Sequence, residues 1–303
     1  MRYLGTKSLS IIAFVFVVLG ILAYLFIDGM GEIPSVPEVS APAPEPVLEA
    51  TAEPTHRIIG ESVEGRAINA YTYGEGETHL LFVGGIHGGY EWNSVLLAHT
   101  FMDHLLANPL DIPENIKVTI IPSANPDGLY QITGSGNRFA LADIKEDSGI
   151  AGLGRLNANG VDLNRNFDCK WKPESMWRSK VVSAGIEAFS EPEAQAIRDF
   201  VLSETPTAVI FWHSQSNAVY ASECEAGILP GTRSVMNAYS QASGYKAVDA
   251  FDAYEITGDA EGWLASIGIP AVTVELATHE TIEWERNLRG VEALFELYKK
   301  GGQ

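Results

Sequence analysis

Four short apolar runs constrain the fold of this chain more than any other feature. They are residues 80–83 (LLFV), 116–121 (IKVTII), 208–212 (AVIFW) and 271–276 (AVTVEL). Each is too short for a stable helix and is nearly continuous in apolar character, as expected of a strand covered on both faces. Longer segments with apolar residues at helical spacing lie between them, at 91–106, 191–202, 231–243, 259–266 and 282–300. Strand and helix alternate, which predicts an α/β fold: a mixed, largely parallel twisted sheet with helices on both faces. Residues 57–59 and 67–73 read as two further strands joined by a turn at Glu64-Gly65. Asn125-Pro126-Asp127-Gly128 predicts a turn, and the glycine-rich stretch 134–154 a surface loop. Ser190 with Glu193 three residues on has the pattern of a capping box.

The folded part is expected over residues 55–303, ahead of which stand two segments of different composition. Residues 9–27 form an uncharged run of 19 residues, preceded by Arg2 and Lys7 and followed by Asp28 and Glu32. As a helix it would be roughly 28 Å long, close to the hydrocarbon thickness of a bilayer. Residues 1–30 are therefore read as a membrane anchor with its N-terminus in the cytoplasm, in preference to a cleaved signal peptide. Residues 31–54 carry six prolines without an apolar period and read as an acidic, semi-rigid linker. On either reading of the first segment, the folded part is expected outside the cytoplasm. The net charge of −19 excludes nucleic acid and anionic lipid surfaces as natural partners. Two cysteines, Cys169 and Cys224, are too few for a disulfide scaffold and lack the spacing of a cysteine zinc site.

Reactive residues fall at the ends of the apolar runs. His87 follows the first through Gly84-Gly85-Ile86, with Glu91 four residues on; His213 follows the third; Glu275 lies inside the fourth. Open α/β sheets form their sites beyond the carboxyl ends of the strands. Three protein ligands with one open position define a catalytic zinc, and His87, Glu91 and His213 supply such a set. Glu275 is left to act as a general base, since a carboxylate buried in a strand requires a partner. His99 and His104 lie on the helix at 91–106 and read as ordinary helical histidines. In 160–167, GVDLNRNF, Arg165 flanked by Asn164 and Asn166 can grip a carboxylate, although alone the segment reads equally as a polar turn. Tyr254, Thr257-Gly258-Asp259 and Trp263 form a third group, which alone reads as a rim tyrosine in a loop.

Taken together and in this order, these motifs resemble the zinc carboxypeptidases of the carboxypeptidase A and B type and their bacterial relatives. The resemblance covers about residues 55–300. It implies one zinc ion per chain, held by His87, Glu91 and His213, with Glu275 as the proton-transferring base. It implies Arg155 as the group that steadies the oxyanion, with Arg138 as the alternative. It implies Asn164 and Arg165 as the clamp on the substrate's terminal carboxylate and Tyr254 as a closing tyrosine. The chain departs from the family at the first motif, where three residues instead of two separate His87 from Glu91. Glu261 falls seven residues after Tyr254, where the family places the floor of the specificity pocket. An acid there implies a basic or diaminopimelate-like side chain; an exposed glutamate in a first helical turn is the other reading. Cys169 and Cys224 each follow a site motif, and outside the cytoplasm a bond between them would tie those loops together.

The expectation is a membrane-anchored, extracytoplasmic metallocarboxypeptidase acting on a peptide, most readily one ending in a basic residue, as a monomer. One alternative is the same chemistry on a peptidoglycan peptide, at a γ-D-glutamyl–diaminopimelate bond. Others are an acylamino-acid deacylase, and a non-catalytic peptide-binding module on the same fold.

Overall fold

A computed structural model describes residues 53–145 and 152–300. The anchor and most of the linker expected from the sequence lie outside these residues. Among the described residues no helix is long and apolar enough to cross a membrane.

The strands, in chain order, are β1 Thr55–Glu61, β2 Ala67–Tyr73, β3 Thr78–Val83, β4 Ile116–Ile121, β5 Glu174–Trp177, β6 Lys180–Ser183, β7 Ala208–Ser214, β8 Ala218–Ala221, β9 Lys246–Val248 and β10 Ala271–Leu276. The helices are α1 Trp92–Ala107, α2 Pro126–Thr133, α3 Pro192–Glu204, α4 Pro230–Ser243, α5 Ala260–Ser266 and α6 Trp284–Lys300. Eight strands form one sheet in the order β1-β2-β4-β3-β7-β10-β8-β9, while β5 and β6 form a separate hairpin. The centre of the sheet, β4-β3-β7-β10, is parallel, and β8 pairs parallel with β9. The β1–β2, β2–β4 and β10–β8 pairings are antiparallel. This is the mixed, mostly parallel sheet expected from the sequence.

The four apolar runs sit in the middle of the sheet because neither of their faces meets water. Leu80 and Phe82, Ile210 and Trp212, and Val272, Val274 and Leu276 point to one side, into a core shared with α1, α4 and α6. Leu81 and Val83, Val209 and Phe211, and Ala271 point to the other, into a core shared with α3 and α5. The period-2 alternation of strand side chains therefore divides each run between two cores. Full burial of a Leu, Ile, Val or Phe side chain is worth roughly 1.5–3 kcal/mol, so slipping any central strand by one residue would reverse both faces at once.

Several local expectations are corrected. Asn125-Pro126-Asp127-Gly128 opens helix α2 instead of making an isolated turn: the Asn125 side chain accepts from Gly128 N, and Pro126 occupies the first turn, where no amide hydrogen is needed. Ser190 and Glu193 do not form a capping box. The cap position is Glu191, whose carboxylate accepts from Ser190 Oγ, while Glu193 accepts from Val63 N and Asn157 Nδ2. The short strands β8 and β9 and the β5–β6 hairpin carry too few residues for a legible period. The described parts of 134–154 are irregular apart from one 3-10 turn at Leu141–Asp143.

Candidate active site

In-register pairing of two central strands places the first half of the site. β7 and β10 run parallel with His213 opposite Glu275 and Phe211 opposite Thr273. His213 shares the face of Val209 and Phe211, so it points to the α5 side at the carboxyl end of β7. Glu275 emerges beside it on the same face of β10.

The second half comes from the turn after β3. Gly88–Glu91 is a 3-10 turn with His87 at its cap position. The 3-10 turn accommodates the extra residue between His87 and Glu91. Its two glycines are required by packing. A Cβ on Gly88, whose φ is +47°, would lie 2.6 Å from Gly154 O, and one on Gly89 would lie 2.7 Å from Gly128 O and collide with Ile132.

The halves converge. His87 Nδ1 is 2.9 Å from Glu91 Oε1, and His213 Nδ1 is 3.1 Å from Glu91 Oε2. The two imidazole centroids are 4.9 Å apart. One ligand atom from each of the three residues falls within 4.8 Å of the others. His87 Nε2, Glu91 Oε2, His213 Nε2 and Glu275 Oε2 are all buried without a well-formed hydrogen bond. Two imidazoles and a carboxylate converging within one ligand shell, amid buried polar atoms left unsatisfied, are a donor set that fits a zinc ion with an open position.

Charge is heavily concentrated here. Burial alone would raise the Glu91 carboxyl, but His87 and His213 outweigh it and hold it well below the ordinary carboxylate range. Burial would lower His213, yet Glu91 and Glu261 raise it well above the ordinary imidazole value. Glu275 goes the other way: burial, then the charge of Glu91, pushes it to about 8. Behind the cluster, Arg155 donates from Nε to Asp162 Oδ2 at 2.9 Å and holds Nη1 3.8 Å from Glu91 Oε1. Asp162 Oδ1 lies 3.4 Å from His87 Nε2. Burial opposes the Asp162 charge, but Arg155 above all keeps it well below the usual range.

A cavity of about 450 Å³ opens over this cluster and is lined by nine of the residues singled out from the sequence: His87, Glu91, Arg155, Asn164, Arg165, His213, Tyr254, Glu261 and Glu275. Asn164 Oδ1 accepts from Ala260 N at 2.8 Å, which turns the amide Nδ2 end to the cavity. Arg165 spends Nε and Nη2 on Met176 O and one Nη1 hydrogen on Asn164 O. Of a guanidinium's five N–H groups, one on each terminal nitrogen remains. Tyr254 stands at the rim against Phe251, ring centroids 4.8 Å apart. Arg138 is not in the site: it makes a two-point pair with Asp103 on the surface, which leaves Arg155 as the arginine beside the cluster. Trp263 packs into the core against Phe167 and Phe189. Glu261 is buried, which overturns the exposed first-turn reading. His104 pairs with Asp111 away from the cavity. Cys169 and Cys224 are joined, 55 residues apart in sequence, and Cys169 lines the cavity.

Sequence reasoning missed three residues here. Asp162 lay inside a quoted motif but received no role; its signal was an acidic residue two positions before the carboxylate grip. Tyr90, the last residue of the spacer between His87 and Glu91, packs against Trp177 and His279. Trp177, on β5, also lies under Arg155, 4.7 Å from its guanidinium carbon, and nothing in its local sequence pointed to the site.

Residues 49–287 match the family model for zinc carboxypeptidases. Among curated proteins, the chain is similar to gamma-D-glutamyl-L-diamino acid endopeptidase 1 of Lysinibacillus sphaericus, 26% identical over 73% of this chain and 60% of that one. It is also 34% identical over 36% of its length to the catalytic chain of rat (Rattus norvegicus) carboxypeptidase N, covering 25% of that protein. The chain thus spans less than two thirds of the curated relatives' length. Among solved structures it resembles the murein-tripeptide amidase MpaA from Escherichia coli O157, with a TM-score of 0.58, 24% identity and coverage of 86% and 98%. It resembles bovine thrombin-activatable fibrinolysis inhibitor with a TM-score of 0.62, 20% identity and coverage of 82% and 88%. With the family model spanning most of the folded part and the His-Glu-His donor set in place, the chain belongs to the zinc carboxypeptidase family of zinc-dependent metallopeptidases.

Proposed function

We propose that this protein hydrolyses the amide bond that joins a terminal residue, bearing a free carboxylate, to the rest of a peptide. The observation that carries this reading is that one cavity holds the His87-Glu91-His213 donor set, Glu275, Arg155 and the Asn164–Arg165 pair. His87, Glu91 and His213 would hold the zinc ion, which would supply Lewis-acid chemistry at the scissile carbonyl. Asn164 Nδ2 and the two free N–H groups of Arg165 bind the terminal carboxylate and thereby fix which amide bond is cut. Glu275 accepts a proton from the attacking water as a carboxylate and returns it, as an acid, to the departing amine nitrogen. Arg155 donates toward the oxygen that gains charge as the carbonyl becomes tetrahedral, and Tyr254 covers the substrate from the rim.

Asp259 lines the same cavity, and an acid there supports a terminal residue with a cationic side chain, whether lysine, arginine or a diamino acid. The γ-D-glutamyl–diaminopimelate reading has a specific observation in its favour. Lys170 and Arg178 line the cavity and have no carboxylate partner among the described residues, in a chain of net charge −19. They offer a seat for a second carboxylate next to the scissile bond, which a γ-linked glutamate has and an ordinary peptide lacks. The resemblance to an endopeptidase named for that linkage points the same way.

A location outside the cytoplasm is supported by the uncharged run at 9–27, read as an anchor, and by the Cys169–Cys224 bond, which suits an oxidising compartment. The test is turnover of peptides ending in Lys, Arg or Leu beside L-alanyl-γ-D-glutamyl-diaminopimelate, by zinc-loaded protein. Glu275→Gln should lower kcat at least about a thousandfold while zinc still binds, in line with loss of a proton-transferring group. Undiminished turnover by that variant would sink the mechanism. Tight zinc binding with no cleavage of any substrate would favour the binding-module reading.

A further inference from the structure

Both candidate zinc-binding histidines turn Nδ1 toward Glu91, so the opposite nitrogen of each ring is free to meet something else. For His87 that partner is Asp162, whose Oδ1 lies 3.4 Å from Nε2. For His213 it is Glu261: Oε1 lies 3.2 Å from Nε2, with both side chains almost fully buried. The same Oε1 accepts from Thr273 Oγ1 at 2.9 Å. Thr273 stands opposite Phe211, two residues before His213, on the adjoining strand. Glu261 is carried in the first turn of α5, whose first amide, Ala260 N, is held by Asn164 Oδ1. The glutamate is thus fixed at both ends, by a helix start and by a strand hydroxyl, with one oxygen against the back of an imidazole.

From this geometry we infer that Glu261 is a positioning residue: it accepts the Nε2 hydrogen of His213 and thereby presents Nδ1, in the metal-binding tautomer, to zinc. A histidine that binds a metal through one nitrogen commonly gives the hydrogen of the other to a carboxylate, which sets the tautomer and the ring orientation and makes the ligand more basic. The position expected from sequence to read a substrate side chain therefore spends one oxygen on the metal site. This rests on zinc binding at His87, Glu91 and His213, and not on the choice of substrate or on hydrolysis itself.

The two roles of Glu261 separate in zinc titrations against a chromogenic chelator, with turnover of Lys-ending and Leu-ending peptides measured in parallel. Glu261→Ala should weaken zinc affinity about 10- to 100-fold, the usual effect of removing such a partner. Glu261→Gln keeps an acceptor for the Nε2 hydrogen and should recover most of that loss, to within about tenfold of the parent. Thr273→Val, which frees the glutamate without removing it, should fall between the parent and the alanine variant. At saturating zinc, the ratio of kcat/KM for Lys-ending over Leu-ending peptide should change less than about threefold, since specificity is a difference between transition-state affinities. Zinc affinity within twofold of the parent in all three variants would overturn the inference. Loss of the Lys preference at unchanged zinc affinity would overturn it as well and return Glu261 to the specificity pocket. Melting of each zinc-free variant reports folding independently, and the glutamine variant keeps the side-chain volume. If no peptide is cleaved by any form, the proposed function fails while the zinc titrations still decide the role of Glu261.

Discussion

Four histidines are almost fully buried in this protein, and they fall into two pairs with opposite chemistry. His87 and His213 stand in the cavity, each against Glu91 on one side and a second carboxylate on the other. His79 and His99 lie in the interior away from it. Burial lowers both to about 4, with Lys117 adding to the effect at His79 and Arg138 at His99. The His79 ring makes one hydrogen bond, to Thr119 Oγ1 at 2.8 Å, and neither ring nitrogen of His99 makes a well-formed one. Burial disfavours the charged imidazole in His79, His99 and His213. What separates the pairs is whether carboxylates surround the ring, and that depends on position: His87 and His213 follow carboxyl ends of central strands, where the site converges, while His79 is at the start of β3 and His99 in the middle of α1.

The strongest way to break the comparison is to take away a carboxylate behind the cavity pair. Asp162→Asn removes the charge that faces His87 and holds Arg155. Separating a buried ion pair leaves an uncompensated charge and typically costs about 3–5 kcal/mol. Urea unfolding of the zinc-free variant should show a loss of that size, and zinc should bind about 10- to 100-fold more weakly. If stability and zinc affinity were both unchanged, the carboxylates behind the rings would be incidental to the site.

Much of this was legible in the sequence, for identifiable reasons. The central strands are covered on both faces, so their apolar runs are continuous, and the reactive residues stand at their ends. His213 and Glu275 needed only parallel strands in register to come together. Glu91 was harder to read, because its convergence with His87 depends on a 3-10 turn packed on Gly128 and Gly154, contacts made by residues distant in sequence. Trp177 and the Glu261–His213 contact were invisible for the same reason. A hairpin of two four-residue strands has no period to read, and the partner of a helical glutamate is set by how α5 docks on β7 and β10.

Gly89→Ala tests the turn itself. Its Cβ would press on Ile132 and on Gly128 O, and overpacking of this kind costs about 1–3 kcal/mol. Because the strain falls between His87 and Glu91, zinc affinity should drop more than about tenfold, out of proportion to the loss of stability. A variant destabilised by that amount yet binding zinc normally would show that the turn adapts.

The core pair predicts an acid dependence of the opposite origin. With His99 lowered to about 4 in the folded protein, the unfolded chain takes up the proton first as pH falls through about 6.5. Stability is therefore lost from about pH 6.5 downward, and the loss is complete near pH 4. Between pH 7 and pH 5 this single group should cost about 2 kcal/mol. His79 adds a similar loss in the same window, so the comparison is made on zinc-free protein with His99→Leu. That variant should lose about 2 kcal/mol less than the parent over the same interval, and an identical pH profile would mean that His99 is protonated in the fold.

The smallest effect is expected at Thr119, which serves His79 alone among the four histidines. Its hydroxyl meets His79 Nε2 and, at 2.9 Å, Thr72 Oγ1, bridging β2 and β4 to β3 within the sheet. Thr119→Val keeps the volume and β-branching but withdraws both contacts, leaving a neutral imidazole nitrogen without a partner. That should cost about 1 kcal/mol in urea unfolding at pH 7. Zinc affinity and turnover should not change, because β4 ends at Ile121 and no residue of it lines the cavity. A fall in zinc affinity with this variant would mean that the two histidine pairs are mechanically linked through β3, and the division between an inert interior and a reactive cavity would have to be redrawn at that strand.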